Sequence, residues 1–85
     1  MSEQRSGTVS ERIAKEVPVI LASHFDCQPE DIEIDRVLEQ SIIERVVPDI
    51  EYFFCVIIDE DEIDNVISVG DLIALADKTV NSALA

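Results

Sequence analysis

"PDIEYFFCVII", residues 48–58, carries aromatic and β-branched side chains that favour strands, yet it continues a segment whose apolar residues recur at helical steps. Ile42, Ile43, Val46, Val47, Ile50, Phe53 and Phe54 fall on one helical face, and Pro48 lies inside it. A strand needs a partner, and no other stretch of the 85 residues has comparable β character. The helical reading of 48–58 is kept by elimination, with a strand as the alternative. A proline in a helix removes a backbone hydrogen bond, so Pro48 predicts a helix that is kinked or begins near it, flanked by a shallow or absent groove.

Upstream, Val9, Ile13, Val17, Ile20, Leu21 and Phe25 also recur at steps of three and four, and Ser10 is placed to act as an N-cap. Pro18 predicts a kink near Val17 or two shorter segments. "DCQPEDIEID", residues 26–35, breaks the periodicity with Pro29 and a run of acids, and reads as a loop with Ile32 and Ile34 as apolar anchors. Leu38 begins the next segment.

Downstream, Asp59 to Glu62 suit the positive end of a helix dipole and open a short helix, to which Ile63 and Val66 give an apolar side. Asp71 follows Ser68 by three positions, an acid in place of the Glu or Gln of a capping box. Leu72, Ile73, Leu75, Ala76 and Val80 continue as a last amphipathic helix. The sum is one all-α domain of four helices, three main and one short, over residues 9–81. Residues 1–8 read as a disordered N-terminus and residues 82–85 as a frayed end.

Nineteen Asp and Glu against six Lys and Arg give a net charge of −13. That charge repels nucleic acid and anionic membranes and attracts basic protein surfaces. The start, "MSEQRSGTVS", lacks an apolar stretch, and the longest apolar run, Tyr52 to Ile58, is far short of the roughly 20 residues a membrane span needs, so the chain reads as cytoplasmic; a monomer is also expected. Cys27 and Cys55 form neither a zinc spacing nor a Cys-x-x-Cys pair and read as buried small apolar residues. His24 and Cys27 alone fall short of the four ligands of a closed zinc site. One His, no Ser-His-Asp or Cys-His arrangement and no Gly-rich phosphate loop leave nothing for acid–base or nucleophilic work, so the chain does not read as an enzyme.

"IIDEDEIDNVISVGDLIALA", residues 57–76, resembles the closing third of an acyl carrier protein, in which an acidic short helix leads to Thr or Ser, Val, Gly and Asp opening the last helix. "SERIAKEVPVILASHFDCQPEDIEID", residues 10–35, is similar to that family's first helix and following loop. The resemblance implies a four-helix acyl-carrier-like bundle that holds 4′-phosphopantetheine on a serine at the start of the second helix. A thioester on that arm, sheltered between helices, is presented to successive enzymes of a specialised lipid, polyketide or peptide pathway.

The middle departs from the pattern: the family's Asp-Ser-Leu motif is missing, and no glycine lies between Gly7 and Gly70. Counting back without gaps from "VISVGDLI" puts Gln40 at the serine's place, whereas counting forward from the first helix reaches Val46. A deletion reconciles the two, and the only serine in the interval is Ser41, followed by Ile42 in place of the motif's Leu. Ser41 is therefore the expected attachment point, with an N-cap as its alternative role. Glu39, Glu44, Asp59, Glu60, Asp61 and Glu62 form the acidic frame expected to meet a transferase, synthase or ligase, while Arg45 places a positive charge where the family has acids or apolar residues. The acids at 59–64 do not match a calcium loop, since Ile63 takes a ligand position and the loop glycine is missing. The second reading is a carrier-like fold without the arm, acting as an acidic protein–protein interaction module.

Overall fold

The computed structural model describes residues 8–84. Four α-helices follow in order, α1 Thr8–Phe25, α2 Gln40–Phe54, α3 Glu60–Ile63 and α4 Val69–Leu84, with a short 3-10 turn at Pro29–Asp31. No strand is present among the described residues, only an isolated bridge between Val37 and Ser68. The expected all-α architecture of three long helices and one short one is thus the one observed. Residues 1–7 and 85 of the expected termini lie outside the described residues, and α4 continues through Leu84.

The periodic apolar positions become the core. Ile13, Val17 and Leu21 of α1 meet Ile43, Val46 and Ile50 of α2 and Leu72, Ala76 and Val80 of α4, all essentially buried. α1 packs against both α2 and α4, and α3 packs on α4. Ile32, Leu38, Ile58 and Val66 seal the ends from the connecting segments. Burial of each Val, Leu or Ile among them contributes roughly 1.5–3 kcal/mol.

Both prolines sit inside continuous helices, so the expectation of a late start or of two shorter segments is corrected. Pro48 is exposed, which leaves the carbonyl that lost its partner on the wet side of α2, where water can satisfy it. Ser10 is likewise corrected as a cap, because α1 begins before it; its hydroxyl donates to Asp77 Oδ1 at 2.6 Å and ties α1 to α4.

The strand-like residues divide. Tyr52 to Phe54 finish α2, and Cys55 turns left-handed (φ 58°) to end it, its N–H and that of Val56 both donating to the Glu51 carbonyl. α1 ends in the same manner, with Asp26 at φ 58° and Cys27 N–H donating to the Ala22 carbonyl. Cys55 is consequently turned outward and exposed and Cys27 is half-buried, which corrects the buried reading of both. Ile34 is corrected too: Ile32 is buried as an anchor, but Ile34 is 66% exposed.

What Ile34 does supply is its carbonyl. The loop after α1 lies antiparallel to the entry of α4, with Leu38 N–H donating to Ile67 O (2.7 Å), Val69 N–H to Arg36 O (2.9 Å) and Gly70 N–H to Ile34 O (2.7 Å). A Cβ on residue 70 would lie 3.2 Å from both Ile34 O and Ile34 Cγ1, so glycine permits this approach. The capping box read from the sequence completes the turn: Asp71 N–H donates to Ser68 Oγ, and Asp71 Oδ2 accepts from the N–H groups of Ser68 and Ile67.

One Lys–carboxylate ion pair occurs among the described residues, Lys78–Glu62 at 2.7 Å, and His24 Nε2 lies 2.7 Å from Asp49 Oδ2. Most of the described acids thus repel one another without a cationic partner. Raising NaCl from ~0.01 to ~0.15 M shortens the screening length from ~30 to ~8 Å. The urea midpoint is expected to rise over that range. A midpoint that stays fixed or falls would show that self-repulsion does not limit this fold.

Candidate functional site

The start of α2 is positioned by the loop clasp rather than by a side-chain cap. Leu38 is buried and bonded to Ile67, and Glu39 follows as the N-cap in extended conformation (φ −75°, ψ 150°), without a side-chain capping bond. Gln40 and Ser41 are therefore the first two helical residues. The alternative role of Ser41 as N-cap is corrected, since that position belongs to Glu39.

Ser41 is exposed. Its amide lies in the first turn of a 15-residue helix, where N–H groups lack intrahelical acceptors and the dipole favours an anion. Arg45, four residues on and also exposed, shares its face. A phosphodiester on the Ser41 hydroxyl would meet the helix start and Arg45 as favourable charges and the exposed Glu44, three residues on, and Glu39 as opposing ones.

Beside this turn an open groove of about 1120 Å³ runs between α2 and α3. Its floor is Val47, Ile58 and Ile63; its walls carry six carboxylates, Glu44, Glu51, Asp59, Glu60, Asp61 and Asp64. α2 passes through Pro48 and presents that residue as part of the wall of this open groove. Gln40 borders the groove and Ser41 does not. Each helical residue turns the side chain by about 100°, so one step moves the hydroxyl from the groove-facing row onto the outer face.

Of the acidic residues read from the sequence, Glu44, Asp59, Glu60 and Asp61 share the groove, while Glu39 stands exposed before it. Asp59 also caps α3, with Oδ1 accepting from Asp61 N–H at 3.1 Å, and Glu62 is half-buried against Lys78. Asp64, one of the acids at 59–64, and Glu51 complete the wall, and only Glu51 was not anticipated. Glu51 was legible, because Gln40, Glu44, Val47 and Glu51 repeat at helical spacing. Its carboxylate accepts from Ile58 N–H at 2.8 Å and holds the loop that leads into α3.

His24 is paired with Asp49 across α1 and α2, and no cluster of potential metal ligands occurs among the described residues. No described helix is long and apolar enough to cross a membrane. Fold and site together define a small helical bundle with an exposed serine at a helix start beside an acid-walled groove. No family model matches the chain, and no curated protein or solved structure matches it.

Proposed function

We propose that this chain is an acyl-carrier-like protein whose Ser41 hydroxyl takes 4′-phosphopantetheine. It would carry an acyl or aminoacyl group in a specialised lipid, polyketide or peptide pathway, and do no chemistry of its own. The observation that supports this is the exposed Ser41 hydroxyl in the first turn of α2, with Arg45 on the same face. When bound, the group supplies a thiol for thioester formation. The chain's own part is to present the oxygen, to favour a phosphate at the helix start and to attract the basic surfaces of a transferase, synthase or ligase to Glu39, Glu44 and the acids of α3. The expected setting is the cytoplasm, where coenzyme A serves as donor, with the chain as a monomer.

A second reading is supported by one observation: Gln40, not Ser41, borders the groove, and the groove's walls are carboxylates rather than a lining suited to an acyl chain. On that reading the arm has been lost and the fold is an acidic interaction module.

Intact mass after incubation with coenzyme A and a broad-specificity phosphopantetheinyl transferase separates the two. The first reading expects a gain of one phosphopantetheinyl group that Ser41→Ala abolishes. An unchanged wild-type mass, or a gain that persists in Ser41→Ala, removes it. Modification seen only after Gln40→Ser would support the second reading, because it shows a competent frame from which the reactive oxygen is missing.

A further inference from the structure

Arg45 stands between two acceptors of its charge. On α2 it follows Ser41 by four residues and precedes Asp49 by four, about 6 Å along the axis from each, and side chains at that spacing meet on one face. Arg45 and Asp49 are both exposed, so an ion pair between them is the ordinary outcome. The carboxylate of Asp49 is turned to α1 instead, with its Oδ2 2.7 Å from His24 Nε2. A carboxylate only accepts, so Nε2 carries the hydrogen and donates. His24 lies in the last turn of α1 with its side chain 22% exposed, against 55% for Asp49, so the histidine is the fixed member and the carboxylate the one with room to turn.

We infer that His24 is a positioning residue for the Ser41 site: by holding Asp49 toward α1, it keeps the Arg45 guanidinium available to the phosphate that Ser41 receives. The inference rests on the reading of Ser41 as the attachment point. In that transfer the Ser41 oxygen bonds to the phosphorus of coenzyme A that bears the pantetheine. The bond from that phosphorus to the bridging oxygen breaks, the hydroxyl proton passes to a base of the transferase, and adenosine 3′,5′-bisphosphate leaves. Arg45 is the one cation within four residues of Ser41, against Glu39 and Glu44. Captured by Asp49, it would leave the incoming phosphate with carboxylates as its only charged side-chain neighbours on that turn.

The test reads Arg45 in two independent ways on the full chain. The first is the rate of labelling by phenylglyoxal, an arginine-selective reagent, followed by peptide mass mapping with the exposed Arg12 as internal reference. The second is the initial rate of mass gain at Ser41 with coenzyme A and the broad-specificity transferase. His24→Ala is expected to lower both rates about twofold, the size of an exposed pair at this spacing, and to leave Arg12 unchanged. His24→Gln, which keeps a side-chain N–H for Asp49, should restore both. In an Asp49→Asn background His24→Ala should change neither, whereas a histidine that served packing alone would act whatever stands at 49. A loss that persists in His24→Gln or in the Asp49→Asn background, or slower labelling with an unchanged rate at Ser41, overturns the inference. So does Arg45 labelling that ignores His24→Ala. A wild-type chain that gains no mass removes the reading of Ser41 and this inference with it; labelling that still responds to His24 would then show that the Asp49 contact stands and the serine was the error.

Discussion

Leu72→Ala is expected to lower the melting temperature by roughly 10–30 °C and to leave a measurable fraction of the chain unfolded at room temperature. Leu72 is fully buried in the first turns of α4 and belongs to the shared core to which α1 and α2 contribute. Removing its branched end costs about 2–5 kcal/mol, the transfer term plus the cavity left behind. A domain of this length has roughly 4–13 kcal/mol of stability in total, so the loss is a large share. Leu84→Ala, at a site 66% exposed on the last turn of the same helix, is the control and should cost less than about 0.5 kcal/mol. If urea melts of the two variants coincide, α4 does not pack as described.

Pro48→Ala should act in the opposite direction, stabilising the fold by roughly 2 kcal/mol. Inside a helix proline is about 3 kcal/mol worse than alanine, because it lacks the N–H and crowds the preceding turn. Alanine restores a donor for the Glu44 carbonyl. It also loosens the unfolded chain, which returns about 0.4–1 kcal/mol of that gain. Pro48 is exposed, so little packing is lost. A higher urea midpoint with unchanged slope is the expected result. A lower midpoint would mean that the ring itself holds the groove wall, and that its place in α2 serves more than chain geometry.

Those two residues also mark what the sequence could reveal. Leu72 and its periodic neighbours were readable because burial on a helix leaves a repeat of three and four, and the same repeat exposed the cores of α1 and α2. The capping box of Ser68 and Asp71 was readable because it depends on residue type and spacing alone. The ends of α1 and α2 were not. Left-handed terminations are ordinarily announced by glycine, and here Asp26 and Cys55 occupy them. The β-branched run beyond Phe54 therefore looked like more of the same helix. Pro48 misled for a related reason: its cost depends on whether the orphaned carbonyl faces water, which periodicity does not disclose. At the serine, type and order pointed to Ser41, but which face it occupies depended on where α2 begins. That is set by Glu39 and by bonds to a loop nearly thirty residues further on.

Those bonds couple parts of the chain that are distant in sequence. With the amides of Leu38, Val69 and Gly70 all donated across one short seam, the entrances of α2 and α4 behave as a single hinge plate, and neither can tilt without tearing the other. The least regular part of the molecule is thereby the part that ties its two helix entrances together.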